Sequence, residues 1–347
     1  MLNNQRQLHY DHQIAWWLLI CATVIFGMIV IGGVTSMTGS GLSMVEWKPL
    51  MGVIHPLSEE AWLDTFEKYR QYPEYQQVNR GMDLAGFKYI FMYEYLHRVL
   101  GRVIGVLYFL PMVYFAVKGR VRAGMMPKLW ILFIRGGCQG LLGWYMVKSG
   151  LVDNPRVSQY RLTSHLGLAF AIYAYMLWVA LGLLLPGRQE AGSTATSGVR
   201  LSAWVLGLLV FVTVMSGGFV AGLKAGFVYN TFPLMDGRWI PEAMFLQEPL
   251  WRNFFENMAT VQFDHRVLAI LTFLGICAFW LAARRRVTTP QARAGMHLLL
   301  AVAVLQVALG ISTLLLYVPV ALAATHQAGA LLLFTAVLFL NHRLIHE

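Results

Sequence analysis

Charge is what this sequence has least of. Only 13% of its 347 residues are Asp, Glu, Lys or Arg, against 57% hydrophobic, too little polar side chain to cover a water-soluble domain. The deficit falls mainly on the acids, 17 against 27 basic residues, leaving a formal charge of +10. An excess of that sign suits nucleic acid when it lines a basic helix or an aromatic-basic module. Neither is present, so nucleic acid is excluded as a partner. The basic residues stand instead in short clusters between apolar runs, the pattern of a membrane topology signal. Cysteine is scarce too. Cys21, Cys138 and Cys277 lie far apart inside apolar runs, which excludes a CxxC metal site, offers no disulfide framework and makes them small packing residues. The polar stretch from Met1 to Gln13 has one arginine and no cleavable-signal pattern, which points to a bacterial inner membrane rather than an imported organellar precursor.

What is abundant is apolar length. A span needs about 20 apolar residues, and eight stretches reach it: residues 14–34, 89–117, 129–147, 162–185, 201–223, 258–283, 294–317 and 320–340. An even number puts both termini on one side. Arg120, Arg122, Arg188, Arg200, Arg284, Arg285, Arg286, Arg293 and Arg343 all mark that side, which the positive-inside rule makes cytoplasmic. The opposite connections include two long ones, an acidic loop at 35–88 and a mixed aromatic one at 224–257. Within the first, Glu59–Tyr69 sets Trp62, Leu63 and Phe66 among charges; it is either an amphipathic helix lying at the membrane interface or a solvated loop helix.

The chain repeats itself. Gly32-Gly33-Val34 matches Gly217-Gly218-Phe219, and Glu94-Tyr95-Leu96-His97-Arg98 matches Gln262-Phe263-Asp264-His265-Arg266. Gln139-Gly140-Leu141-Leu142-Gly143 matches Gln306-Val307-Ala308-Leu309-Gly310, and Ser164-His165-Leu166-Gly167 matches Thr325-His326-Gln327-Ala328-Gly329. Each motif returns after an even number of helices, so the halves share one orientation and are related by an axis along the membrane normal. The expected fold is an all-α membrane protein of eight transmembrane helices in two pseudo-two-fold-related four-helix bundles. The N-terminal bundle takes residues 1–190 with the long outer loop 35–88, a Gly/Ser/Thr-rich linker takes 191–200, and the C-terminal bundle takes 201–347.

Of ten histidines, His9, His12, His342 and His346 are terminal, His55 is in a loop and His297 ends a cytoplasmic helix, where exposure explains them. His97, His165, His265 and His326 lie within spans, where an ionisable group is costly and commonly functional. Counting about 1.5 Å of rise per residue, all four fall in the outer third of the membrane, one pair per bundle. Two imidazoles from facing helices are what a six-coordinate heme iron needs on its axial sides. Zinc and di-iron fit worse, since no cysteines cluster and Glu-x-x-His occurs once. Gly101, Gly105 and Gly167 either admit a flat macrocycle or pack helices. Arg98 and Arg266, with Lys148, Arg156 and Arg161, either pair with heme propionates or, for the loop three, snorkel at the interface. The halves differ at Glu94 and Gln262, each one turn before its histidine. Glu94 is either a buried partner for Arg98 or a proton acceptor or charge stabiliser for chemistry at the first heme. On this asymmetry the glutamate half holds a heme that reacts and the glutamine half a heme that moves electrons.

At these residues, and at Gly217-Gly218-Phe219-Val220-Ala221-Gly222 leading into Asn230-Thr231-Phe232-Pro233-Leu234-Met235, the sequence resembles the heme A synthase family over essentially its whole length. The resemblance implies oxidation of a ring methyl of heme O to a formyl group, giving heme A for cytochrome oxidase. It implies heme B as cofactor on His265 and His326, beside Arg266, and substrate heme O on His97 and His165, beside Arg98, with Glu94 catalytic. Residues 35–88 contain no cysteine, so the chain is similar to the cysteine-free type of alphaproteobacterial and mitochondrial members, and a loop disulfide has no part in its mechanism. Two other readings stand beside this one: a dihemic b-type membrane electron carrier and a heme transporter or chaperone. The sequence leaves open the electron acceptor, docking with the farnesyltransferase that makes heme O, and self-association into a homo-oligomer. Membrane lipid is the one surrounding that all three readings share.

Overall fold

The computed structural model describes residues 2–46, 54–152, 155–185 and 196–346, and nearly all regular structure among them is helical. Part of the expected linker, residues 191–195, lies outside the described residues. In chain order the helices are α1 (Leu2–Met37), α2 (Glu59–Arg70), α3 (Leu84–Val117), α4 (Met126–Lys148), α5 (Gln159–Leu184), α6 (Ser197–Leu223), the single turn α7 (Asn253–Glu256), α8 (Met258–Ala283), α9 (Pro290–Leu315) and α10 (Val320–His346).

Seven of these, α1, α3, α5, α6, α8, α9 and α10, are long and apolar enough to cross a membrane. The third expected span forms the 23-residue helix α4, but Arg135, Gln139 and the glycines Gly136, Gly137, Gly140 and Gly143 dilute its apolar character below that of the others. Helix α1 runs well beyond the apolar stretch at 14–34, because no proline or glycine interrupts Leu2–Gln13. Its early residue Asp11 is buried, held by Gln7 Nε2 at 3.1 Å and by Arg122 at 3.5 Å. Helix α3 starts before the expected Tyr89, where the Asp83 side chain accepts from the backbone N–H of Gly86 as an N-cap.

Packing follows a regular scheme. Helix α1 lies against α3 and α5, and α4 against α3 and α5; α6 lies against α8 and α10, and α9 against α8 and α10. The histidine-bearing helices α3 and α5 therefore stand across from each other with α1 and α4 between them, and α8 and α10 do the same with α6 and α9. The two sets meet through α1 with α10 and α5 with α6 and α10. At these meeting points Gly33 faces Gln327, whose Nε2 donates to the carbonyl of Ile29 at 2.9 Å, while Gly218 faces Thr163 and Leu166.

Helix α2 turns its apolar face to α3 and leaves Glu59, Glu60, Asp64, Glu67 and Arg70 exposed. Trp62, Phe66 and Tyr69 are buried against Phe87 and Phe91 at the N-terminal end of α3, and Leu63 is left exposed. The ring stacking is close, with Phe66 and Tyr69 centroids 5.0 and 5.1 Å from Phe87. Two further expectations need correction. Cys138 is exposed on α4, and only Cys21 is a fully buried packing residue. His342 is not an exposed terminal histidine: α10 continues past it and packs its ring edge-on to Trp178, with centroids 5.0 Å apart, at no solvent exposure.

Candidate functional site

The four span histidines share one local construction. A Cβ added to Gly32 on α1 would stand 3.0 Å from Cε1 of His97 on α3, and one on Gly217 of α6 would stand 3.2 Å from Cε1 of His265 on α8. On the other sides, Gly143 of α4 meets Cε1 of His165 on α5 at 3.0 Å, and Gly310 of α9 meets Cε1 of His326 on α10 at 2.8 Å. Every imidazole thus rests with Cε1 in a notch that a side chain at the glycine would crowd. The glycines occupy matched positions of the repeat, and sequence reasoning passed over them in favour of Gly101, Gly105 and Gly167. Of those, Gly101 packs on Met28 and Gly167 on Met215, while nothing stands near Gly105. The motif with Gln four residues before Gly, at 139–143 and 306–310, was the available signal.

Those glutamines hold the histidine backbones. Gln139 Nε2 donates to the carbonyl of His165 at 3.0 Å, and Gln306 Nε2 to the carbonyl of His326 at 3.0 Å. Electrostatically His165 feels His97, and His265 feels His326. The Nδ1 atoms of His97, His165 and His326 are buried without hydrogen-bond partners.

His265 is different. Its Nδ1 lies 2.8 Å from Ser216 Oγ, and Ser216 spends its own proton on the carbonyl of Thr213 at 2.7 Å. The serine oxygen must then accept, which places a proton on Nδ1 and leaves Nε2 bare for a metal. The position matched to Ser216 in the first half is Ile31, which has no such group.

The residue one turn before the histidine and the one just after it pin the long loops. In the first half, Glu94 is buried; its Oε2 accepts from Ser43 Oγ at 2.8 Å and from the Met44 backbone N–H at 2.7 Å, while Oε1 accepts from Arg98 at 2.5 Å. Arg98 also donates to the carbonyls of Met44 at 2.9 Å and Glu46 at 3.4 Å. In the second half, Gln262 and Arg266 both donate to the carbonyl of Tyr229, at 3.0 and 2.9 Å, and Arg266 donates to Thr231 at 2.8 Å. The motif at Asn230–Met235 is therefore the strip of loop that the second half clamps. Arg98 is neutralised by Glu94, whereas Arg266 has no carboxylate partner among the described residues. The remaining candidate cations lean on rings: Arg161 stacks 3.7 Å over Tyr145 and Lys148 lies 5.2 Å over Trp144, while Arg156 is exposed.

Among the described residues no three His, Cys, Asp or Glu side chains gather as a metal cluster. Each half supplies two imidazoles from helices that stand across from each other, a donor set that fits an iron already held in a macrocycle better than a bare ion.

Residues 15–338 match the COX15-CtaA family model, described as cytochrome oxidase assembly protein. The chain is 56% identical to a heme A synthase of Nitrosospira multiformis, over 95% of this chain and 93% of that protein. It is 48% identical to a heme A synthase of Rhodospirillum centenum, over 98% and 90%. It is also 46% identical to the human heme A synthase COX15, over 94% and 82%.

Proposed function

Because the chain belongs to the COX15-CtaA family and is a heme A synthase, an oxidoreductase that converts heme O to heme A, we propose that its two halves divide that reaction. His97 and His165 of residues 1–190 hold substrate heme O, and His265 and His326 of residues 201–347 hold a resident heme B. The observation that carries the division is the Ser216 bond to His265, absent at the matched Ile31. A ligand whose ring and tautomer are fixed suits a cofactor that stays, since an oriented imidazole binds metal more tightly. A ring without that tether suits a substrate that enters and leaves. When bound, heme B supplies a one-electron acceptor within the protein.

The residues of this chain do the rest. Glu94 has both oxygens engaged by Ser43, Met44 and Arg98, so its carboxylate, ion-paired with Arg98, serves as a held dipole that favours positive charge developing on the substrate, not as a proton acceptor. Met44 and Tyr229, clamped by Arg98 and Arg266, hold the outer loops over the two sites and limit entry of water. The uncompensated charge of Arg266 faces heme B propionates; Arg98, already paired, acts mainly as the loop clamp. With water as oxygen source, oxidation of methyl to formyl releases two electron pairs and their protons.

This reading takes α4 as an eighth span, giving two four-helix bundles related by a pseudo-two-fold along the membrane normal. The basic connections, including Arg122 beside Asp11 of the N-terminal helix, lie with both termini on the cytoplasmic side of the inner membrane. Heme extraction with chromatography and mass spectrometry tests the division. Wild-type protein made with a heme O supply yields heme B with heme O and its oxidised products. His265→Ala loses heme B, and His97→Ala loses heme O and products while retaining heme B. Loss of heme B in His97→Ala would reverse the assignment. Glu94→Gln, which copies the second half at Gln262, keeps both hemes and lowers heme A formation at least about a hundredfold; normal product from it would sink the charge role.

A further inference from the structure

Between helices α2 and α3, the outer loop of the first half buries a second carboxylate that the reaction as described does not use. Glu74 opens a short π-turn, Glu74–Val78, and is only 6% exposed. Its Oε2 has no hydrogen-bond partner. An orphaned buried carboxylate oxygen is costly, and a loop that needed only to pack would hold an apolar residue there. Three ionisable groups face it, each from a different element: Tyr69 of α2 within hydrogen-bonding reach, Glu94 of α3, and Lys224 at the end of α6. Tyr69 is itself fully buried, and its hydroxyl accepts from Asn79 Nδ2 at 2.8 Å. Both Tyr69 and Glu74 feel the charge of Glu94. On α3, Phe87, Phe91 and Glu94 fall at positions i, i+4 and i+7 of one face, and the ring cluster that surrounds Tyr69 packs on the first two. Glu74, beside Tyr69, thus sits at the N-terminal end of α3, about two helical turns from Glu94 along that helix.

We propose that Glu74 is a proton-relay residue, exchanging protons between the first-half site and the water on the outer face. The proposal rests on heme O occupying that half. A proton released in the oxidation forms an O–H bond on the Glu74 carboxylate. That bond then breaks to water and restores the carboxylate, so the relay consumes nothing. Glu94 is unsuited to this task because its oxygens are committed, which leaves Glu74 as the buried acid with an oxygen to spare. Burial is the main cause pushing the Glu74 carboxyl up to about 7, aided by Glu94 and opposed by Tyr69 and Lys224. Both of its protonation states are then populated near neutrality, as a relay requires.

The test uses full-length protein carrying Glu74→Gln and Glu74→Asp. Infrared difference spectra between buffers below and above neutrality show a titrating carboxylic C=O band in the wild type that Glu74→Gln lacks and Glu74→Asp retains. In membrane fragments, Glu74→Gln converts heme O at least about tenfold more slowly and without the wild-type change of rate through neutrality, whereas Glu74→Asp recovers much of both. Heme O bound per chain stays at the wild-type level in each. A Glu74→Gln protein with the wild-type rate and pH profile overturns the relay. Equal, pH-independent losses in both variants with less heme O bound also overturn it, in favour of a packing role. His97→Ala protein that still retains heme O would bring down the substrate assignment, and the relay with it, by a separate route.

Discussion

Ser216 has one hydroxyl proton, and the carbonyl of Thr213 takes it. Replacement by alanine removes the serine acceptor from the Nδ1–H of His265 and leaves it the Thr213 carbonyl alone. Ser216→Ala is expected to weaken retention of the second-half heme about tenfold to a hundredfold, read as heme per chain after purification. The first-half heme is left unchanged. A second expectation follows from Glu74. Its carboxyl keeps a proton up to about pH 7 in the folded chain, while the unfolded chain releases it near the ordinary 4.5. Between those values the folded state binds more protons, so stability falls as pH rises, by up to about 3 kcal/mol in all. Thermal unfolding followed across that window should decline in the wild type and stay level in Glu74→Gln, which is the more stable protein above neutrality. The four histidines were legible in the sequence because depth, spacing and repetition agreed. Ser216 was not, since a serine at a helix position gives no sign of which neighbour's ring will reach it. Glu74 was counted only as one acid in an acidic loop, because its burial depends on how α2 folds back onto Phe87 and Phe91.

At the scale of elements, the helices were readable from apolar length, and their ends shifted where caps or uninterrupted polar residues carried them further, as at Asp83 and Leu2–Gln13. Periodicity alone did not say what α2 would cover; three aromatic residues on its buried face found partners on α3. The glycine notches belong to this scale, since each is a contact between two helices. Gly310 is the tightest of the four, since a Cβ added there would stand 2.8 Å from Cε1 of His326, and the imidazole is not the end of a long flexible chain that can swing aside. Gly310→Ala is therefore expected to tilt the ring and release heme B while heme O binding persists. Absorption spectra with heme extraction check this, and a full complement of heme B in the variant would show that α9 simply moves away.

At the scale of the whole molecule, adjacent glycines of α1 face different ways. Gly32 receives His97 of its own half, and Gly33 receives Gln327, the neighbour of His326 in the other. The matched pair in α6 behaves alike, Gly217 receiving His265 and Gly218 meeting Leu166, the neighbour of His165. Exchange of the halves turns one contact into the other, and Gln327 of α10 matches Leu166 of α5 in the repeat. A surface that meets its own likeness in this way is the mark of an isologous dimer. On the proposed division of the halves, one polypeptide carries the interface of a homodimer whose subunits would each hold one heme. On that arrangement the covalent connection is dispensable. Residues 1–190 and 196–347, expressed together as separate fragments, should reassemble into a heme-loaded complex that copurifies, and Gly33→Leu, which fills the notch for Gln327, should part them.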